Sequence, residues 1–231
     1  MIDIRRDATR PHTNISWLDS WHSFSFGEHH DPNNVGHGLL IVSNDDTVAA
    51  GQGFGTHPHR DMEIITWVLS GAVEHRDSEG NHAVIRPGLA QRMSAGTGIR
   101  HSERNPSEVE PAHFVQMWVQ PDTLGVKPGY EDADVTDALA GGGLVKIASG
   151  TDDAAIHIYQ ANAALYVARL DVRDAINLPE AVHVHVFIAR GAAVLETGEA
   201  LETGDAVRLT NDTSRRLAAT ESSEIIVWAT A

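Results

Sequence analysis

The stretch GFGTHPHRDMEIITWVLSG, residues 53–71, combines a histidine pair with a strongly apolar segment. His57 and His59 stand two residues apart, and on a β-strand that spacing places both imidazoles on one face, about 6–7 Å apart along the backbone. Two imidazoles on one face can bind one cation from adjacent coordination positions. The apolar residues 62–69 that follow have the composition of a strand and end at the glycine turn of Gly71.

A second pair of metal-ligand residue types follows in MSAGTGIRHSE, residues 93–103, where His101 and Glu103 are also two residues apart. If this segment is a strand beside the first pair, three imidazoles and one carboxylate converge on one point. That ligand set suits Fe(II), Mn, Co, Ni, Cu(II) or Zn. Four protein ligands leave one or two positions of a five- or six-coordinate metal open, and substrate and O2 can bind at open positions.

Most of the chain consists of short segments rich in Val, Ile and aromatic residues, separated by turn-forming residues, as in an all-β protein. In one of them, Phe114, Gln116 and Trp118 lie on one face and apolar residues lie between them, which is the period of a strand. The predicted strands are residues 38–43, 62–69, 82–86, 113–120, 144–149, 156–160, 165–171, 182–189, 206–210 and 225–228. Their short lengths and the lack of a long amphipathic helix predict two small β-barrels or sandwiches.

A change of composition divides the chain. Residues 126–143 are rich in Gly and Asp and predict a linker with one helical turn near residues 134–139. An N-terminal domain of residues 1–125 and a C-terminal domain of residues 144–231 then flank it. The N-terminal domain is predicted to hold the metal.

An internal repeat supports two similar domains, because residues 62–71 and 182–191 each form an apolar strand that ends at a glycine turn. When these turns are superimposed, all four ligand positions of the first domain are lost in the second. They fall on Asn177, Pro179, Leu217 and Ala219. The C-terminal domain is therefore predicted to bind no metal, and His183 and His185 are predicted to be packed or surface histidines.

Composition excludes several classes of function. The 231 residues carry 32 acidic and 17 basic side chains, a formal net charge of −15, which argues against binding to nucleic acid or to an anionic membrane surface. The absence of cysteine excludes disulfides, thiolate nucleophiles and iron–sulfur clusters, so a metal must be bound by nitrogen and oxygen. There is no apolar signal segment or membrane span, and a cytoplasmic protein is expected. Histidine is concentrated in the first half, where His75, His82 and His113 are predicted to be hydrogen-bonded strand residues.

Several motifs in order resemble the pirin family of cupins. They are SWLDSWHSFSFGEHHDP at residues 16–32, HPHRDMEIITWVLSG at 57–71, IRPG at 85–88, MSAGTGIRHSE at 93–103 and QMWVQP at 116–121. The resemblance implies a bicupin, two double-stranded β-helix (jelly-roll) barrels in tandem, the second degenerate. It also implies one metal ion in the N-terminal barrel, usually Fe(II). Bacterial members are similar to quercetin 2,3-dioxygenases, and some members act as metal-dependent transcriptional cofactors.

Two glutamates compete for the role of carboxylate ligand. In many cupins the ligand lies in HxHxxxE, which here points to Glu63, whereas in pirin-like proteins it lies in the HSE segment, which here points to Glu103. We favour His57, His59, His101 and Glu103 as the metal ligands. Glu63 is then structural, although an unpaired charge in its apolar strand would be costly. Glu103 is also the predicted catalytic base, which accepts the hydroxyl proton of the substrate.

The predicted activity is cleavage of a quercetin-like flavonol with O2 and release of carbon monoxide at one divalent metal ion. The alternative is a regulatory protein whose metal state alters its affinity for a protein partner. A closed site with a purely structural metal is a third hypothesis. The predicted partners are a small aromatic substrate and O2, with no direct contact to nucleic acid or membrane, and a monomer is favoured.

Overall fold

The computed structural model describes residues 1–151, 153–212 and 215–231. The first half contains the strands β1 (Ile2–Arg5), β2 (His12–Asn14), β3 (Leu18–His22), β4 (Leu40–Val48), β5 (Gly53–His59), β6 (Glu63–Ser70), β7 (Val73–Asp77), β8 (His82–Ile85), β9 (Leu89–Ser94), β10 (Ile99–Arg104), β11 (Ala112–Val119) and β12 (Gly129–Asp134), with a turn of 3-10 helix at Asp7–Thr9. The second half contains the helix α1 (Thr136–Ala140) and the strands β13 (Val145–Ser149), β14 (Ile156–His157), β15 (Ala163–Leu170), β16 (Ala175–Asn177), β17 (His183–Arg190), β18 (Ala192–Leu195), β19 (Ala200–Glu202), β20 (Ala206–Thr210), β21 (Arg216–Ala219) and β22 (Ser223–Thr230).

Each half of the chain folds into a large sheet that faces a small one. The first half forms a seven-stranded sheet in the order β12-β9-β6-β11-β4-β3-β2 and a four-stranded sheet in the order β5-β10-β7-β8. The second half, joined by β1 from the N-terminal part of the chain, repeats the pattern with β1-β20-β17-β22-β15-β13-β14 and β16-β21-β18-β19. The predicted all-β architecture of two barrels in tandem is confirmed. In the described part of the chain, no helix is long and apolar enough to cross a membrane.

The two seven-stranded sheets pack against each other and form the core between the domains. Alternation along β6 turns Ile65, Trp67 and Leu69 toward this core, which also contains Phe187 and Trp228 of the second domain. The intervening Ile64 and Val68 belong to apolar clusters inside the first barrel. The period of two predicted for residues 113–120 is confirmed, because alternate residues of β11 also separate into these two environments.

Two segments differ from the predicted domain organisation. Residues 126–143 contain α1, as predicted, but also β12, which pairs along its whole length with β9 in the large sheet of the first domain. Its Asp-rich composition suits an edge strand with half-exposed side chains, and the same composition favoured a linker in the sequence. Strand β1, in turn, pairs with β20 and so completes the large sheet of the second domain.

Candidate metal centre

Strands β5 and β10 are antiparallel neighbours in the four-stranded sheet and carry three of the predicted ligands. In their register His101 lies opposite His57, and Ile99 lies opposite His59. His57 and His59 share a face because they are two residues apart. Together with His101 they form a group whose ligand nitrogens all lie within 4.8 Å of one another. The ring centroids of these histidines are 4.4–5.0 Å apart.

The ring nitrogens of this cluster are free to bind a cation. The backbone carbonyl of Gly55 lies 2.8 Å from Nδ1 of His57, so that nitrogen donates a proton and leaves Nε2 with a lone pair. Nε2 of His59 and Nε2 of His101 are buried and, among the residues that the structure describes, have no hydrogen-bond partner. Buried polar atoms are rarely left without a partner, and a metal ion would satisfy both nitrogens. The residues therefore fit the predicted ion.

The electrostatics of the cluster favour neutral imidazoles. The pKa of His59 is lowered to about 4, chiefly by burial and also by the neighbouring His101 and His57. The pKa of His101 is likewise lowered to about 3, chiefly by burial and also by His57 and His75. Only a neutral imidazole has a lone pair for a metal. Both side chains are thus in the metal-binding form at neutral pH.

Glu103 lies beside the histidine cluster but is not part of the 4.8 Å group. A β-bulge between His101 and Glu103 shifts the register with β5, so that Glu103 pairs with Phe54. Nε2 of Gln116 donates to both carboxylate oxygens at 2.8 Å, and Oγ1 of Thr66 donates to one of them at 3.5 Å. Glu103 as fourth ligand and as base remains a prediction. Gln116 and Thr66 were missed in the sequence, where the period of β11 was the signal that could have placed Gln116 inside the barrel.

Glu63 occupies the opposite face of its strand. It alternates with Ile64 and lies with Ile65 on the side of the interdomain core, where it is fully buried. Its Oε2 accepts hydrogen bonds from Oγ of Ser94 at 2.8 Å and from the backbone N–H of Tyr159 at 3.2 Å. Burial raises the pKa of Glu63, which reduces the cost of placing this carboxyl in an apolar region. Its partners give Glu63 a structural role between the domains.

A cavity of about 330 Å³ opens next to His57, His59 and Glu103. Its walls combine apolar and polar side chains from β2–β5, β11 and the loop after β3. The apolar lining residues are Leu18, Phe26, Phe54 and Trp118, and the polar ones include Thr13, Ser20, His22, Asn44 and Asp46. This polar wall was not predicted from the sequence, because it depends on how the first strands pack across the barrel.

The second barrel has no equivalent of this site in the described residues. Leu217 is fully buried and Ala219 nearly so, both within the apolar core of that barrel, and Leu217 pairs with Ile176 of β16. Nδ1 of His183 lies 2.9 Å from the carbonyl of Ala231, and His185 is buried in the interdomain core. Among the described residues, only the first barrel contains a cluster of three or more histidine, cysteine or carboxylate side chains whose ligand atoms lie close enough together to bind one metal ion.

Similarity to known proteins covers both barrels. Residues 4–119 match the family model described as Pirin, and residues 146–228 match the one described as quercetinase C-terminal cupin domain. The chain is 54% identical over 229 residues to a protein of Mycobacterium tuberculosis that is provisionally named a quercetin 2,3-dioxygenase, which covers 98% of this chain and 94% of the relative. It is 40% identical over 230 residues to quercetin 2,3-dioxygenase of Escherichia coli K12, covering 99% and 98%.

Solved structures give the same result. The crystal structure of YhhW from Escherichia coli matches with a TM-score of 0.92 at 38% identity and covers 100% of this chain and 98% of YhhW. A structure of this bacterial pirin in complex with nickel(II) matches with a TM-score of 0.90 at 39% identity, covering 99% and 98%. These similarities, together with the sheet order, confirm the predicted bicupin fold.

Proposed function

The chain belongs to the pirin family, and from that membership and the geometry of its histidine cluster we propose that it is a metal-dependent dioxygenase that cleaves a quercetin-like flavonol with O2. The observation that carries the proposal is the convergence of three imidazoles, two of them with buried and unpartnered nitrogens, beside a cavity. Relatives named quercetin 2,3-dioxygenases support the reaction class.

The histidine cluster would hold one divalent ion, Fe(II) in our proposal, with Mn, Co, Ni, Cu or Zn as alternatives. Nε2 of His57, His59 and His101 would be ligands, with Glu103 as the fourth. A redox-active ion bound there supplies the O2 chemistry that amino-acid side chains lack. The cavity beside His57 and His59 favours a centre that substrate can reach over a closed structural one.

Glu103 is the residue that we expect to accept the hydroxyl proton of the flavonol. It lies on the cavity wall, and Gln116 donates to both of its oxygens, which holds the carboxylate in one orientation. The Gln116 amide is itself oriented, because its Oε1 accepts a hydrogen bond of 3.3 Å from Nε1 of Trp118. A positioned carboxylate at the reacting hydroxyl is a typical general base.

The cavity suits a flat substrate with aromatic rings and several hydroxyl groups. Its volume of about 330 Å³ lies at the lower end of the range for small-molecule sites. Phe26, Phe54 and Trp118 can pack against aromatic rings. On the other wall, Nδ1 of His22 lies 2.9 Å from Oδ1 of Asn44, in a polar network that can bind substrate hydroxyls. These walls also limit the access of water to Glu103.

The variant Glu103→Gln tests the assignment of the base. It keeps the three histidines and the size of the side chain but cannot accept the proton. We expect metal binding to persist and O2 uptake with quercetin to fall by about 10²–10⁴-fold. The measurements are metal content after anaerobic loading and O2 consumption on an oxygen electrode.

Glu63→Gln is the matched control. It makes the same change in the large sheet of the first domain, on the face that points to the interdomain core and away from the cavity. It should keep wild-type turnover. Full activity of Glu103→Gln would contradict the base assignment. Metal binding without any O2 uptake by the wild type would instead favour a regulatory protein.

A further inference from the structure

Behind His101, on the side away from His57 and His59, lies a buried pair formed by Asp77 and His75. Both belong to β7, which pairs with β10 so that Asp77 lies opposite His101 and His75 lies opposite Glu103. The side chains of His75 and Asp77 are 1% and 0% exposed. Neither residue lines the cavity, so the reaction described above does not use them.

Hydrogen bonds join these residues in a line. Nε2 of His75 lies 3.1 Å from Oδ2 of Asp77, and Nδ1 of His75 lies 3.5 Å from Nδ1 of His101. Asp77 also accepts hydrogen bonds on Oδ1 from the backbone N–H groups of Glu79 and Asn81, each at 3.0 Å. The amide Nδ2 of Asn81 donates to Oδ2 at 2.9 Å. These three donors around one carboxyl group favour the carboxylate, which can only accept.

The donor and acceptor in each hydrogen bond between Asp77, His75 and His101 follow from the carboxylate form of Asp77. Because Asp77 accepts, Nε2 of His75 carries the proton, and Nδ1 of a neutral His75 has the lone pair. Nδ1 of His101 must then donate to it. The lone pair of His101 is therefore on Nε2, the atom that is buried without a partner in the histidine cluster.

We propose that Asp77 and His75 are positioning residues that fix the tautomer of His101, so that its Nε2 is held ready for the metal. This inference rests on the proposed metal centre and adds a buried support to it. Partners of this kind behind a ligating histidine typically contribute 10–100-fold to metal affinity.

Strand β12, which lies in the segment predicted as a linker, shields His75 from solvent. Tyr130 of β12 lies with its ring centroid 5.0 Å from that of His75. Strand β12 holds it there by pairing with β9, where Tyr130 lies opposite Met93. Water must be excluded here because a water molecule beside His75 could either donate or accept a hydrogen bond. The protonated nitrogens of His75 and His101 would then no longer be fixed by Asp77.

The variant Asp77→Asn should reverse donor and acceptor in the hydrogen bonds that join residue 77, His75 and His101. The two backbone N–H groups at the Oδ1 position retain an oxygen there, so the new amide NH2 takes the Oδ2 position and donates to Nε2 of His75. Asn81 can turn its amide oxygen toward this group. The proton of His75 then moves to Nδ1, and the proton of His101 moves to Nε2, where it blocks the metal.

The direct measurement is the histidine tautomer by long-range ¹H–¹⁵N NMR of the metal-free protein. We expect His101 to carry its proton on Nδ1 in the wild type and on Nε2 in Asp77→Asn. Nickel(II) affinity, measured by calorimetry on the same samples, should fall by about 10–100-fold in the variant. Glu74→Gln is the control, since Glu74 forms a similar carboxylate–histidine pair with His82 on the outer side of the same hairpin, at 2.8 Å.

The outcomes separate this inference from the proposed function. A wild-type His101 protonated on Nε2, or an Asp77→Asn variant with wild-type tautomer and nickel affinity, overturns the positioning role. The wild-type spectrum decides this even if the variant does not fold. A protein that shows the expected tautomer but binds no nickel and takes up no O2 contradicts the proposed function while leaving the hydrogen-bonded line in place.

Discussion

Two carboxyl groups, Glu103 and Asp46, lie on opposite walls of the cavity in the first barrel and have different hydrogen-bond partners. Glu103 accepts hydrogen bonds from Gln116 on both oxygens. Asp46, on the opposite wall, is buried and accepts a hydrogen bond from Oγ of Ser20. The pKa of Asp46 is raised to about 7, chiefly by burial and also by the charges of Asp45 and Glu103, against the lowering effect of Ser20. Asp46 can thus present a neutral acid to a substrate hydroxyl.

The pKa of Asp46 makes a prediction about stability. The unfolded chain releases this proton near pH 3.8, whereas the folded chain keeps it up to about pH 7. The free energy of unfolding should therefore fall as pH rises between these values, by up to about 4 kcal/mol. Asp46→Asn has no carboxyl group to titrate at this position and avoids the loss. The free energy of unfolding of the variant should therefore rise relative to that of the wild type from pH 4 to pH 7. Urea unfolding of chelator-treated protein at several pH values measures it.

Asp45 is the control for that experiment, because its pKa changes in the opposite direction. Burial acts to raise the pKa of Asp45, but the hydrogen bond from His113 and the charges of His113 and Arg10 outweigh burial and lower it. The stability that Asp45 contributes is lost only as pH falls below its unfolded pKa of 3.8, so the difference between Asp45→Asn and the wild type should change little from pH 4 to pH 7. Parallel pH profiles for the two variants would contradict the assigned states.

At this scale the sequence predicted the histidines better than their surroundings. His57, His59 and His101 stand in two short motifs whose spacing reflects strand geometry. His75 and His82 were predicted to be hydrogen-bonded strand residues, and both are. The roles of Asp46 and Gln116 could not be predicted, because their partners lie on strands that are distant in sequence.

Among the secondary-structure elements, β5 and β10 approach each other closely at Gly53. A Cβ added to Gly53 of β5 would lie 2.2 Å from the carbonyl oxygen of Glu103 and 2.6 Å from Cα of Arg104. These are backbone atoms of β10, the strand that carries His101 and Glu103. They can make room for a Cβ only if β10 itself moves. Glycine at position 53 therefore sets the distance between the two ligand strands.

Gly53→Ala should disturb this pair of strands. We expect a loss of stability of about 1–3 kcal/mol, as for other overpacked positions, and weaker nickel binding, because His101 moves relative to His57. Gly55→Ala is the matched control on the same strand, since no atom of the described residues lies within 4 Å of a Cβ there. The measurements are thermal unfolding and nickel calorimetry, and equal effects of both substitutions would show that the close approach is not critical.

The strand segments that were predicted from composition are present in the structure, but many short or polar strands were not predicted. Every strand segment predicted from composition overlaps a strand, such as β6 and β11. Strands β5 and β12 are two of the strands that were missed, since one contains two glycines and a proline and the other is rich in aspartate. Such strands form because neighbouring strands supply their hydrogen-bond partners, which local propensity does not register.

The whole molecule is joined through the core between the two large sheets. Nε1 of Trp67 in the first domain donates to Oε1 of Glu224 in the second at 2.7 Å, and Arg92 donates to the carbonyl of His157 at 2.7 Å. The N-terminal β1 completes the sheet of the second domain. We expect both barrels to unfold in one cooperative transition.

Trp67→Phe tests this coupling. The change removes a donor to the buried Glu224 and should lower the free energy of unfolding by about 1–3 kcal/mol while preserving a single transition. Trp17→Phe is the control, because Trp17 packs edge-on against Phe54 at the periphery of the first barrel and should cost less. Urea unfolding followed by fluorescence and by circular dichroism measures both variants, and two separate transitions would contradict the coupled core.

At the scale of the molecule, the sequence predicted two barrels and the loss of the ligand positions in the second. It did not predict that β1 and β12 add strands to the two large sheets, because these additions depend on packing between segments that are far apart in the chain. Strand β12 also places Tyr130 beside His75, which we propose to position His101.

The most direct test of the central claim is metal content and O2 uptake on one anaerobically prepared sample without a histidine tag. We predict about one equivalent of a redox metal per chain and O2 uptake with quercetin. His101→Ala should abolish both, and His183→Ala in the second barrel should keep both. Protein that binds no metal, or that binds one equivalent yet consumes no O2 with quercetin, would contradict the account.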